Sequence, residues 1–159
     1  MRILFVCTGN TCRSPMAEAI ARQVAAERGI GDVVVESAGT GAYDGAPASD
    51  GALLVALERD VDLGGHRART VTRDLVASAD AILTMSGQHL RRVEELGGAG
   101  KSFLLTDYAS HSSSARGVSD PFGGDLDTYR GTYDELDREI RRVFDRLVPH
   151  GAPPAGAAE

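Results

Sequence analysis

Apolar residues along this chain fall into two kinds of run, short continuous ones and longer ones of period three to four, and the two alternate. Ile3-Leu4-Phe5-Val6 is continuous, as a strand buried on both faces requires. Met16, Ile20 and Val24 recur on one helical face with Ala17 and Ala21 beside them, and Gly29 and Gly31 stop that helix. Val33-Val34-Val35 predicts a second strand, running out at Glu36-Ser37-Ala38-Gly39-Thr40, and the small residues of 41–47 predict a loop. Ser49 or Asp50 caps a second helix whose apolar residues are Leu53, Leu54 and Leu57. Beyond a loop at 64–69, Thr70 caps a short helix over 70–77 with Val71 and Leu75 on one face. A third strand is predicted at 81–85, then a helix capped by Ser86 and carrying Leu90, Val93 and Leu96, then a fourth strand at 102–105. Tyr133, Leu136, Ile140, Val143, Phe144 and Leu147 form the clearest amphipathic stripe. Glu135, Arg138, Glu139, Arg142 and Asp145 fall on its solvated faces, as Arg91, Arg92, Glu94 and Glu95 do on the helix before.

Strands alternating with helices imply an α/β fold of three layers, α/β/α, with a parallel sheet between the helices. Right-handed crossovers then put the ligand crevice at the carboxyl ends of the strands. The 159-residue chain is expected to form one domain over 1–149, with the Pro-, Gly- and Ala-rich end 150–159 a disordered tail. A net charge of −6 argues against a general nucleic-acid partner. The first apolar run is too short for a signal peptide, and no run is long enough to span a membrane. The two cysteines, Cys7 and Cys12, lie in one loop, and that fits a reducing cytoplasm.

That loop carries the chemistry. Cys7-Thr8-Gly9-Asn10-Thr11-Cys12-Arg13-Ser14-Pro15 joins the first strand to the first helix. Backbone amides at such a turn converge on one spot, and the helix start adds partial positive charge, so the segment cradles a phosphate. Gly9 permits unusual backbone angles, and Pro15 suits a first helical turn, where no amide is needed. The same positive potential, with Arg13, is expected to hold Cys7 as a thiolate, below the usual thiol pKa of about 8.5. Arg13 offers a planar fork for two phosphoryl oxygens, and Ser14 a hydroxyl hydrogen bond to the sulfur. Asn10 tolerates left-handed backbone angles and can brace the loop. Further on, Asp120-Pro121-Phe122-Gly123-Gly124 is a loop stiffened by its proline and able to fold over a site. No Cys/His cluster has metal-ligand spacing, so neither metal nor cofactor is expected.

On these two segments, Cys7 to Glu18 and Asp120 to Gly124, the chain resembles the low-molecular-weight protein tyrosine phosphatase family, most closely its protein arginine phosphatase branch. The likeness runs from Arg2 to about Leu147. It implies a four-stranded parallel sheet in flavodoxin-like order and a monomer acting on phosphorylated proteins or peptides. It implies catalytic roles for Cys7 as nucleophile, Arg13 as phosphoryl clamp and Asp120 as general acid. Thr8, Gly9, Asn10, Thr11, Cys12 and Phe122 then line the substrate and phosphate site, with Ser14 beside the sulfur and Ser37 and His66 as members of the polar network around Asn10. Thr11 stands where members acting on phosphotyrosine usually carry a bulky aliphatic residue, and Phe122 is followed by two glycines. A polar wall with one aromatic ring points to phosphoarginine rather than an aryl phosphate. Cys12 suggests a redox role, trapping oxidised Cys7 as a disulfide. Three other readings stay open: a phosphotyrosine phosphatase with the same parts, a thiol-based arsenate reductase, and a phosphate-binding module. The reductase needs further cysteines to relay electrons, and the binding module needs neither Cys7 nor Asp120.

Overall fold

The computed structural model describes residues 1–111 and 115–147; the tail at 150–159 lies outside them. Strand β1 (Arg2–Cys7) is followed by α1 (Arg13–Glu27), β2 (Val34–Gly39), α2 (Asp50–Glu58), α3 (Arg73–Ser78), β3 (Ala81–Thr84), α4 (Gly87–Val93), β4 (Ser102–Leu104), α5 (Leu105–Ser110) and α6 (Leu126–Leu147). The four strands form one parallel sheet in the order β2-β1-β3-β4. Crossing from β2 on one side of β1 to β3 on the other opens a crevice above the end of β1, where the Cys7 loop begins.

Alternation along β1 sends Ile3 and Phe5 to one face of the sheet and Leu4 and Val6 to the other. The first face carries the main core, shared with Met16 and Ile20 of α1 and Leu136, Ile140 and Phe144 of α6. The second is smaller and packs Val76 of α3 and Val93 of α4 against Leu4, Val6 and Ile82. A strand buried on both faces has to be apolar throughout, which is why Ile3 to Val6 reads as an unbroken run.

Several elements depart from expectation. On α2, Ser49 is the cap and its hydroxyl accepts from the Ala52 amide, but the buried face is Ala52, Val55 and Ala56, while Leu54 and Leu57 are exposed. Small residues fill the contact with the neighbouring helices; of the three leucines expected there, Leu53 packs partly against the main core and only Leu54 and Leu57 turn outward. Thr70 does not cap α3; it forms a parallel bridge with Gly39, and Thr72 caps instead, accepting from the Leu75 amide. Ser86 precedes α4, yet its hydroxyl engages His89 rather than a backbone amide. The end of that helix widens over Glu94–Gly98 and leaves helical geometry at Gly97, φ 103°. Leu105 begins the unforeseen helix α5 rather than ending β4. Helix α6 starts at Leu126 because Asp125 accepts from both the amide and the hydroxyl of Thr128 (2.9 Å each). Glu139 is not on a solvated face: it is buried, and Arg116 and Arg142 approach it at 3.7 and 3.5 Å.

Candidate active site

Cys7 ends β1 with its sulfur buried. The chain then curls through Thr8 to Cys12 and enters α1 at Arg13. Asn10 takes φ 55° at the crest and is the hub of the loop. Its Nδ2 donates to Ser14 Oγ (2.8 Å) and Ser37 Oγ (3.0 Å), its Oδ1 accepts from the Arg69 amide (2.9 Å), and its carbonyl oxygen accepts from His66 Nε2 (2.7 Å). The network expected of Asn10, Ser37 and His66 is thus assembled, Ser14 joins it, and the Ser37 hydroxyl donates in turn to Glu18 Oε1 (2.5 Å). A left-handed asparagine is uncommon, and four hydrogen bonds hold this one there. Gly39 matters for a different reason: a Cβ there would collide with the Thr8 carbonyl oxygen, so only glycine lets β2 end against the loop.

Ser14 Oγ lies 2.9 Å from Cys7 Sγ. Burial pushes the Cys7 thiol up from its ordinary value; the Ser14 hydroxyl, the Ser14 and Asn10 amides and the Arg13 charge pull the other way. Burial is the largest of these effects. The expectation of a depressed thiol pKa is therefore corrected: it counted the converging donors and left out the desolvation that comes with placing the sulfur at the end of a central strand. The donors reduce the cost of the thiolate without abolishing it.

Arg13 is also buried. Its Nη1 donates to the Val118 carbonyl oxygen (2.9 Å), and its Nη2 lies 3.5 Å from Asp120 Oδ2. Asp120 is exposed, and its Oδ1 accepts from the Phe122 amide (3.1 Å), which closes the turn through Pro121. Gly123, at φ 82°, completes it, and the Gly124 amide bonds the Pro121 carbonyl oxygen (2.8 Å). The 118–124 loop is thus held beside the Cys7 loop by Arg13, which lines the same cleft.

Cys7, Thr8, Gly9, Thr11, Cys12, Arg13 and Asp120 line one cleft of about 350 Å³, with Gly41, Ala46, Tyr43 and Phe122 around them. Tyr43 and Phe122 are strongly exposed, at 86% and 73%. Two aromatic rings flank the cleft where one was expected; Tyr43 sits in a loop of small residues that gave no periodic signal. Cys12 points its sulfur toward Ser49 Oγ (3.2 Å) and Tyr129 OH (3.4 Å), and both cysteines are free thiols. Burial and the neighbouring Cys12 push the Tyr129 hydroxyl up to about 12, so it stays a donor. A larger hollow of about 560 Å³ is lined by Glu18, Arg22, Ser37 and His66 among others, but neither cysteine lines it.

His89 was not foreseen. It is buried, its Nε2 is 2.8 Å from Thr8 Oγ1 and its Nδ1 3.0 Å from Ser86 Oγ. A signal for it existed. Residues just past β3 share the crevice with the loop past β1, and a histidine in the first helical turn there faces that loop.

A buried sulfur nucleophile beneath converging amides and one guanidinium, with a carboxylate at the rim, can accept and release a phosphoryl group; that pairing defines the class of cysteine-dependent phosphatases. The sequence model of the family described as "Low molecular weight phosphotyrosine protein phosphatase" matches residues 2–150. The chain is 40% identical over 149 residues to the Protein-arginine-phosphatase of Bacillus subtilis, covering 92% of this chain and 97% of that one. It is 38% identical to the low molecular weight protein-tyrosine-phosphatase PtpB of Staphylococcus haemolyticus, covering 86% and 92%. Among solved structures, a YwlE arginine phosphatase, a C7S mutant with a phosphorylated active site serine, superposes with a TM-score of 0.88 at 38% identity, over 95% of this chain and 98% of the other. The chain belongs to the low molecular weight phosphotyrosine protein phosphatase family.

Proposed function

We propose that this protein dephosphorylates phosphoarginine in proteins through a phosphocysteine intermediate. The observation that carries the substrate is Thr11, a hydroxyl-bearing residue that lines the same cleft as Cys7. A polar wall can hydrogen-bond a guanidinium and leaves a phenyl ring poorly matched. The names of the Bacillus subtilis and Geobacillus stearothermophilus relatives, both Protein-arginine-phosphatase, support the same reading.

Cys7, once deprotonated, attacks phosphorus in line as the P–N bond breaks. Arg13 and the loop amides hold the equatorial oxygens, and Asp120 gives its proton to the departing guanidine nitrogen. Asp120 then takes a proton from water, which attacks the phosphocysteine; the S–P bond breaks and inorganic phosphate leaves. Thr8, Gly9, Thr11 and Cys12 form the walls of the site, and Asn10, which is buried behind them rather than on the wall, holds it in shape with Ser14, Ser37 and His66. When a peroxide oxidises Cys7 to its sulfenic acid, the Cys12 thiol attacks that sulfur, water leaves and a Cys7–Cys12 disulfide forms, which fits an enzyme kept reduced in the cytoplasm. The working unit is a monomer with a single phosphatase domain over 1–149.

The second reading is hydrolysis of phosphotyrosine, and the two exposed rings of Tyr43 and Phe122 favour it, since aromatic walls suit an aryl group. Turnover on matched phosphoarginine and phosphotyrosine peptides separates the two. Phosphoarginine should be preferred, and Thr11→Ile should move the preference toward phosphotyrosine. A native enzyme that prefers phosphotyrosine, with Thr11→Ile unchanged in selectivity, would overturn the substrate assignment.

A further inference from the structure

Asn10 braces the phosphate loop from the network described above, and the Thr11 carbonyl oxygen accepts from the Ser49 amide (2.9 Å). A further brace is at Thr8. On the β2 side the Thr8 carbonyl oxygen accepts from the Gly41 amide (2.9 Å). On the β3 side the Thr8 hydroxyl meets His89 Nε2. Because β1 lies between β2 and β3, these contacts clamp the residue that follows the nucleophile from both flanks.

We propose that His89 is a positioning residue for the phosphate cradle, acting through the Thr8 hydroxyl, which it ties to the start of α4. The inference rests on the reading of the cleft as a phosphate site. A neutral imidazole has one donor and one acceptor nitrogen, and here both are engaged, Nδ1 with Ser86 and Nε2 with Thr8. Either tautomer satisfies both contacts, because each hydroxyl can donate or accept. The ring also stays neutral: burial, then the charge of Arg13, push its pKa down to about 4 against the opposing pull of Asp120. A charged ring beside Arg13 would add to the cationic field of the cleft, whereas a neutral one contributes geometry alone. What it fixes is the first residue of the loop, which lines the cleft directly after Cys7.

The test is a set of variants read by binding of inorganic phosphate, followed by NMR titration, with thermal unfolding measured alongside. Thr8→Val removes the hydroxyl at constant shape; His89→Leu removes both ring nitrogens; His89→Gln keeps an amide able to reach Thr8. Thr8→Val and His89→Leu should each weaken phosphate binding about 3- to 10-fold. The double variant should be no weaker than the weaker single, and His89→Gln should restore most of the affinity. Unchanged affinity in Thr8→Val, or effects of the two that multiply, overturns the proposal. So does a His89→Leu protein that loses thermal stability and binds phosphate normally. If the native protein fails to bind phosphate at all, the cradle reading falls and takes this inference with it; if it binds and the variants match it, only the role of His89 falls.

Discussion

Ser14→Ala isolates the contact on which the nucleophile depends most. Ser14 Oγ is 2.9 Å from Cys7 Sγ, fully buried, and the strongest of the groups that offset the burial of the sulfur. A hydrogen bond to a charged group contributes about 1.5 to 3 kcal/mol, so its loss should cut the thiolate population, and with it the rate, roughly 10- to 100-fold at fixed pH. Iodoacetamide reacts with the thiolate alone, so alkylation of Cys7 as a function of pH reads the effect directly. The profile should move to higher pH in Ser14→Ala, and kcat/KM near neutrality should fall by a similar factor. Ser14 Oγ also accepts from Asn10 Nδ2 (2.8 Å), so part of any change could run through the hub. Ser37→Ala controls for this, because it removes another Asn10 partner (3.0 Å) and leaves the sulfur contact intact. An alkylation profile that stays put in Ser14→Ala, or that shifts equally in Ser37→Ala, would refute the reasoning.

Asp120→Asn keeps the shape of the acid loop but carries no proton to give, so kcat should fall about 10²- to 10⁴-fold; a loss under tenfold would remove Asp120 from its role. Gly39→Ala puts a methyl group against the Thr8 carbonyl oxygen and should cost about 1 to 3 kcal/mol in urea unfolding together with most activity. Normal stability there would mean the β2 end moves freely. His89 is held neutral with a pKa near 4 against 6.5 in the unfolded chain, so acid protonates the unfolded state first and stability drops between about pH 6.5 and 4. The full gap is worth about 3 kcal/mol, and water on the cleft side trims it to about 2. Unfolding free energies from urea titrations at pH 7 and 4.5 should therefore differ by about that much less in His89→Gln, and equal acid losses in both proteins would contradict the burial argument.

The central strand and its loop were legible because their chemistry is local. Ile3 to Val6 announces a strand covered on both faces, and the spacing from Cys7 to Arg13 announces an anion cradle whatever surrounds it. The parallel sheet followed from the alternation of elements, and its strand order from the family likeness. What stayed hidden depends on partners distant in the chain. Leu54 and Leu57 look like a core face until α2 is set against its neighbours, where Ala52, Val55 and Ala56 are buried and Leu53 packs at the edge. Glu139 reads as a surface charge until Arg116 meets it. Tyr43 and His89 carry no periodicity of their own and acquire meaning only when the 41–47 loop and the start of α4 close around Thr8 and Cys7. The thiol was misjudged for a related reason: donors can be counted along a loop, but removal from water is a property of the whole fold.

One guanidinium reaches both the phosphate loop and, at Val118, the backbone leading to Asp120, segments 105 positions apart. Grafting a different acid loop onto this scaffold to retarget it would therefore have to present a carbonyl at the same place, or the graft would arrive without its anchor. A lysine at position 13 could keep the charge, yet with a single nitrogen it could not serve two masters at once. Redesign of either segment is bound to the other through this side chain.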